Sequence, residues 1–487
     1  MDEGDAVRSA WTALGGDPAD TRDLSVRGPS GMLPARLPVA DLAVACVAAA
    51  GLAATELARA RGVTDSVRVD AEAAATAFTS ERHLRVDGRA FEGFAPLSRF
   101  WPAADGWVRT HANYPHHRRR LLAALGLDPS RTDGASLTAE LADRIRAETA
   151  AGVEEAVTGA GGLAVAVRTP QQWSAHPQSV AVAREPLVGL RLDGPAAPRR
   201  LLPPPEHPLL PAAGVRVLDL TRVIAGPVAT RVLALLGADV LRVDTPRLPE
   251  IEVQHVDTGF GKRSALLELR QPADRARLDD LVAEADVVVT GYRPAALDQF
   301  GLSPEALRHQ RPDLVVARLS AWGFSGPWAG RRGFDSLVQA ATGIADVQRR
   351  ADGVPGALPA QALDHGTGYL LAAAVLRALT LRHQQGGAWS IQLSLARTAR
   401  WLLHELPPRR SVGPAAAPDP DRWCDERDAP VGRLRYALPP VSLLGGPRTW
   451  ATPPTPWGGD PPAWLPRAGV VNSGRDADAG SGPGHAR

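Results

Sequence analysis

The sequence predicts an α/β fold: a doubly wound, mostly parallel sheet accompanied by a smaller α+β domain. Three observations point there. Short apolar strands alternate with helix-spaced segments through residues 213–405. Gly or Pro closes these units, as at Gly237 and Pro246. The run Leu201-Leu-Pro-Pro-Pro-Glu-His-Pro-Leu-Leu-Pro, which can neither continue a helix nor supply strand donors, sets that region apart from an earlier mixed one.

The elements follow in order. Residues 1–184 read as mixed helix and strand, and 185–212 as a proline-rich linker. In the 213–405 region, Val215–Leu220 is a short apolar strand and Ile224-Ala-Gly-Pro227 a turn. Val228–Leu236 has helical spacing and stops at Gly237, a helix C-cap. Ala238–Asp244 is the next strand, and further strands fall at Ala285–Thr290 and Leu314–Leu319. Residues 406–487 are Pro/Gly/Trp-rich, with a composition at the end that predicts disorder.

An internal similarity links the two main regions. Leu37-Pro-Val-Ala-Asp41 precedes an Ala-rich helix to Arg59, and Leu358-Pro-Ala-Gln-Ala-Leu-Asp364 precedes a comparable helix to Arg382. Each helix ends near glycine and leads into a strand and a second Ala-rich helix, from Ser66 in one case and Ser390 in the other. The matching order predicts a duplication.

Composition narrows the chemistry. The chain has 487 residues, 55 basic against 53 acidic, for a net charge of +2. That balance makes no case for a nucleic-acid partner. Lys262 is the only lysine, and the two cysteines, Cys46 and Cys424, support no disulfide scaffold and fit a reducing cytoplasm. The acidic start, Met1 to Asp5, is unlike a secretory signal. Leu42–Leu57 carries Glu56 and falls short of the ~20 strongly apolar residues of a membrane span, so a buried or amphipathic helix of a soluble protein is expected there. No Walker loop, GxGxxG or HExxH stands in the sequence, and His111-Ala-Asn-Tyr-Pro-His-His117 has no acidic neighbours to complete a metal site.

Six segments carry a resemblance. They are Gly214-Val-Arg-Val-Leu-Asp-Leu-Thr-Arg-Val-Ile-Ala-Gly-Pro227, Leu236–Asp244, Gly261-Lys-Arg-Ser264, Ala285-Asp-Val-Val-Val-Thr-Gly-Tyr-Arg-Pro294, Gly333–Gly343 and Asp364-His-Gly-Thr-Gly368. In this order they resemble the class III CoA-transferase (CaiB–BaiF) family, with its Rossmann-like large domain. Phe100–Val108 and Ala160–Val167 look like that family's small domain, so the small-domain half stands first here.

The resemblance implies a CoA-transferase moving CoA between an acyl-CoA and a small carboxylic acid, with CoA as substrate and no other cofactor. It implies a homodimer, no metal and no membrane partner. Asp364 takes the place of the nucleophile, which would pass through an aspartyl-CoA thioester. A helix N-terminus opened by Gly366 and Gly368 would favour its carboxylate; on sequence pattern alone Asp364 reads rather as an N-cap, and the surrounding motifs reverse that. Asp41, followed by Leu42 instead of glycine, reads as a plain N-cap. By motif, Val223 and Ala225 flank the pantetheine, Lys262 and Arg263 meet phosphates, Tyr292, Arg293 and Pro294 line the nucleotide, and Arg332 stands near the active site. Gly291 and Thr245 depart from the family's Asn and Arg. Phe334 stands where related α-methylacyl-CoA racemases carry a proton-transferring His, which favours transferase over racemase. A non-catalytic acyl-CoA binding protein is the third alternative. No glycine-rich lid is evident; Gly159-Ala-Gly-Gly162 reads as a turn.

Overall fold

A computed structural model describes residues 3–407 and 419–466, apart from residues 23, 30, 92, 133 and 206. In chain order, the elements that build the site begin with α1 (Val39–Ala60), β1 (Val67–Asp70), α2 (Ala71–Ala77) and α3 (Ser80–His83). The small domain follows, with β2 (Phe100–Pro102), β3 (Trp107–Thr110) and β4 (Ala164–Ala166). Next come β5 (Gly189–Gly194), β6 (Arg216–Leu220), α4 (Ala225–Leu235), β7 (Asp239–Asp244), β8 (Lys262–Leu266), β9 (Val287–Thr290) and β10 (Val315–Ser320). The chain continues through α5 (Asp335–Ala341), α6 (Ala362–Gln385), β11 (Ala388–Ser394), α7 (Leu395–Arg400), β12 (Cys424–Ala429) and β13 (Gly432–Ala437).

The central sheet has seven strands in the order β8-β7-β6-β9-β10-β11-β5, all parallel except the edge strand β5. Its inner strands are continuous apolar runs, such as Val287-Val-Val-Thr290, because helices cover both faces. Beginning at β6, the chain winds outward to β8 and then crosses to β9, so the order reverses between β6 and β9.

Two expectations are corrected here. The 185–212 stretch is not all linker, since Gly189–Gly194 forms β5, antiparallel to β11. The proline run after it is pinned by Arg61, whose guanidinium donates to the carbonyls of Leu202 (2.7 Å), Pro211 (2.6 Å) and Ala213 (3.0 Å). The C-terminal segment is also built into the fold over 419–466, where β12 and β13 make a hairpin. Each indole there finds an acceptor: Trp423 Nε1 on Glu72 Oε2 (3.1 Å), Trp450 Nε1 on Arg231 O (2.9 Å), Trp457 Nε1 on Asp244 Oδ2 (3.1 Å), Trp464 Nε1 on Leu281 O (3.1 Å). The end expected to be disordered, 467–487, lies outside the described residues.

The repeated units are α1-β1-α2 and α6-β11-α7. Both strands end on the cap of the next helix: Asp70 Oδ1 accepts from Glu72 N and Ala73 N, and Ser394 Oγ from Arg397 N. Helices α1 and α6 lie side by side in one core, with Leu42, Cys46, Leu363 and Leu370 among its fully buried members. Among the described residues α1 is the one helix long and apolar enough to cross a membrane, with mean hydropathy 1.6, and most of it is buried inside the fold. Leu97, Trp101, Val108, Leu121, Leu141 and Val153 form a separate small-domain core, and β3 and β4 dock that domain on α5.

Gly366 and Gly368 lie inside α6 and do not open it. A Cβ at Gly366 would meet Leu42 Cδ2 at 2.8 Å, and one at Gly368 would meet the Ala225 carbonyl oxygen at 2.5 Å. The glycines therefore let α1 and α4 approach α6. A leucine tip can swing aside; a helical carbonyl cannot. Gly368→Ala should cost about 1–3 kcal/mol despite its better helix propensity, and Gly366→Ala distinctly less, as read from urea unfolding midpoints.

Candidate functional site

The site gathers at the C-terminal ends of the parallel strands, where an open α/β sheet leaves a crevice at its switch point. The turn after β6 (221–224) and the loop after β9 (291–296) face each other there, with Gly291 close to Thr221. Val223 adopts φ +71, a left-handed conformation that a β-branched residue takes only when held. Glu250 holds it, accepting from Val223 N at 3.1 Å. The same carboxylate takes Arg242 Nη2 (2.9 Å) and the small domain's Tyr114 OH (2.5 Å). Burial opposes its charge, but Arg242 and then Arg222 outweigh burial and bring Glu250 down to about 2. One ionised side chain thus fixes the turn and the small domain together.

Asp364 is the third residue of α6 and is buried. It is not the N-cap; Gln361 stands there, and no side chain closes the helix from that position. The exposed N–H groups are instead taken by Asp335, whose Oδ2 accepts from Leu363 N (2.9 Å) and Asp364 N (3.0 Å), while Gln339 Nε2 donates to Oδ1. The expectation that the helix end favours an ionised Asp364 is therefore corrected. Burial, then the Asp335 and Glu81 carboxylates, push Asp364 well above the ordinary carboxylate range. Asp335 itself is raised to about 6 by burial, against the pull of its hydrogen bonds. His365 follows, its ring stacked on Phe78 at 5.3 Å. Asp41 repeats the position, third in α1 behind Pro38, so it is no N-cap either.

The other expected residues separate into two groups. Lys262 is buried, and its ammonium donates to Asp219 Oδ2 (3.1 Å), Pro227 O (2.8 Å) and Thr230 Oγ1 (2.6 Å). All three donors are spent beneath α4, so it is no phosphate ligand; burial brings it down to about 8. Arg263 is bound to Asp239 at 2.7 Å and to the Ala463 carbonyl, which also removes it from phosphate binding. Arg293 and Arg332 remain. Both are exposed and, among the described residues, neither has a carboxylate partner. They are close enough that Arg293, after burial and ahead of Arg120, lowers Arg332. Tyr292 and Pro294 are half-buried beside Arg293, and Ala225 is buried in the first turn of α4.

Sequence reasoning missed the small domain's share. His111 lies face to face with Phe334, ring centroids 3.9 Å apart, and Tyr114 and His117 flank the same ring. Arg222 sits over the Tyr114 ring at 5.1 Å. Burial lowers His116 to about 4, followed by Arg120, Arg222, Arg332 and Arg119, which places that histidine within the cationic cluster. The motif Gly333-Phe-Asp335 was visible, but not that its aspartate reaches the α6 terminus. Gly159 ends a helix and Gly161 (φ +73) turns the chain into β4, so that segment is a turn. Among the described residues no group of His, Cys, Asp and Glu is arranged to hold a metal.

Comparison with known proteins decides the family. The model of CoA-transferase family III matches residues 7–187 and 212–423. This chain belongs to CoA-transferase family III. The unmatched stretch between the two blocks contains the proline-rich run. Similar family members include an acetyl-coenzyme A transferase of Hypoxylon pulicicidum, 36% identical over 248 residues, 48% of this chain and 40% of that protein. A probable fatty acyl-CoA transferase of Mycobacterium tuberculosis is 34% identical over 205 residues, 39% of this chain and 52% of that protein. A formyl-CoA:oxalate CoA-transferase of Bradyrhizobium diazoefficiens is 32% identical over 185 residues, 36% and 43% of the two. A CaiB/BaiF family protein from Brucella suis is 27% identical, covering 46% of this chain and 65% of that one, with a TM-score of 0.37. The chain spans about half the length of the curated family members it matches.

Two outcomes follow for this family III chain. Lys262→Met strands the buried Asp219 charge and should cost about 3–5 kcal/mol in urea unfolding. Asp335 binds its proton more tightly folded (about 6) than at its ordinary 3.8. Its contribution to stability is therefore complete below pH 3.8 and lost as pH rises through 6. Asp335→Asn should flatten that loss, seen as urea midpoints that fall less between pH 4 and 7 than those of the parent chain.

Proposed function

We propose that this chain is an acyl-CoA:carboxylate CoA-transferase in which Asp364 is the nucleophile. The observation that carries the reading is the placement of a buried carboxylate, Asp364, in the first turn of α6. The family membership and the names of its transferase relatives support the same reaction class. The Asp364 carboxylate attacks the thioester carbonyl and expels CoA thiolate, leaving a mixed anhydride. The thiolate attacks the aspartyl carbonyl, giving an enzyme-bound CoA thioester and freeing the donor acid. An incoming carboxylate attacks that thioester, forming a second anhydride and expelling the thiolate again. Attack by the thiolate on the acceptor's acyl carbonyl yields the new acyl-CoA and restores Asp364. The carboxylate must be ionised to attack, so the elevated proton affinity of Asp364 is a cost that positive charge from the protein must offset.

Arg293 and Arg332 fit the phosphates of CoA, because among the described residues they have no carboxylate partner, and they are exposed and clustered at the mouth of the switch-point crevice. The acids that serve as partners are small carboxylates of the class named for the relatives, oxalate and glutarate among them.

A racemase-like reading is favoured by one observation, the neutral ring of His111 lying on Phe334. Burial, then Arg109, lowers this imidazole to about 3, which keeps it neutral but makes it a weak base. Deuterium uptake at the α-carbon of acyl-CoA in heavy water would support it, and no uptake would remove it.

For the transferase, Asp364→Ala should lower turnover about a thousandfold or more, and hydroxylamine should trap the aspartyl-CoA thioester in the parent chain, read by mass spectrometry. Full transfer by Asp364→Ala sinks the reading. Arg293→Gln and Arg332→Gln should each raise the KM for acyl-CoA about tenfold at unchanged kcat.

A further inference from the structure

The ring of His365 is fully buried, yet neither of its nitrogens has a hydrogen-bond partner among the described residues. Its Nε2 stops 3.7 Å from Glu81 Oε2, an oxygen that is itself shielded from solvent and unpartnered. Two complementary atoms, each costly to bury alone, face each other just beyond contact. Glu81 belongs to α3, in the first half of the chain, whereas His365 is the neighbour of Asp364 in the second. Phe78, three residues before Glu81, stacks on the histidine ring and fixes its plane.

The charges around the ring are mostly negative. Glu81 faces it from α3, Asp335 from α5 and Asp257 from the helix Glu252–Thr258, with Asp364 adjacent on α6. Arg231 of α4 belongs to the same network but is bound to Asp257, through its carbonyl at 2.7 Å and Oδ2 at 3.4 Å. Burial opposes ionisation of Glu81; His365, then the backbone N–H of Glu81 itself and the Arg82 guanidinium 3.8 Å from its other oxygen, together outweigh that and keep it low. The internal repeat has no such pair: Leu42 follows Asp41 as His365 follows Asp364, and the repeat's acid, Glu405, is bound to Arg397 and Arg400.

We propose that Glu81 and His365 are a positioning pair. The imidazolium of His365, held toward Glu81 through Nε2, supplies the positive charge that lets Asp364 stand as a carboxylate beside Asp335. His365 does not touch the reacting atoms. It offsets the field of Glu81 and Asp335 at Asp364, and Glu81 keeps its proton in place. The inference rests on the reading of Asp364 as the reacting carboxylate, but the pair itself is testable without turnover.

Ring nitrogen NMR of the ¹⁵N-histidine-labelled full chain reports the protonation of His365 directly, its signal assigned by its loss in His365→Asn. Glu81→Gln should move the His365 titration down by about one pH unit or more, and Glu81→Asp should restore most of it. In transfer assays, His365→Asn should shift the acid limb of the kcat profile to higher pH with little change in KM. The double variant Glu81→Gln/His365→Asn should return that limb toward its original position, because the uncompensated carboxylate is gone. A His365 ring that is neutral from pH 5 to 8 and indifferent to Glu81→Gln overturns the proposal, as does an acid limb unmoved by His365→Asn. If His365→Asn fails to fold, His365→Gln takes its place in both arms. Retention of transfer by Asp364→Ala would instead defeat the catalytic reading and leave the NMR result standing.

Discussion

The contact of α1 with α6 is the constraint on which the molecule turns. Two apolar helices, each the start of a repeated helix–strand–helix unit, meet closely enough that Gly366 faces Leu42 and Cys46, and an added methyl would have to push the Leu42 tip aside. Close packing of this kind fixes the rotation of both helices, since a shift by one residue would present side chains where the groove needs glycine. From that contact, α6 delivers Asp364 to the crevice. The segment following α1 delivers Phe78 and Glu81 to the ring next to it.

The electrostatics of the crevice follow from what each helix end is given. The α6 terminus is satisfied by a carboxylate from α5, so its positive potential is spent before it reaches Asp364. The α4 region shows the opposite design: Lys262, Asp219 and the Thr230 hydroxyl form a closed buried cluster beneath it, while Glu250 restrains the left-handed Val223 above it. Rigid charge pairs shape the turn, and arginines with no carboxylate partner among the described residues are kept to the rim. Such a division fits the reaction proposed above, with positive charge at the rim and acidic groups in the interior.

Much of the sheet was legible because its strands are unbroken apolar runs bounded by Gly or Pro, and β6, β7, β9 and β10 fall where those runs predict. The place of Asp364 near the start of a long helix was legible from its motif and its repeat. What escaped was decided by tertiary contacts. Lys262 sits in a motif and is the chain's single lysine, but only the fold shows three acceptors converging on it. Glu81 and His365 are far apart in sequence, and no local pattern joins them. The C-terminal segment has no periodicity; single tryptophans anchor it one at a time, which leaves a composition signal that reads as loop. The strand β5 was hidden by its surroundings, a short polar-apolar stretch next to prolines, and it exists because β11 offered an open edge.

The pinned proline run has a consequence for how the crevice is assembled. One wall comes from residues before it and the other from residues after it, and Arg61 ties the run to the body at three carbonyls. A short tether held in this way converts what would be a second-order encounter into an intramolecular closure, with an effective concentration on the order of millimolar or above. The two walls therefore meet equally well in a dilute solution and in a crowded one.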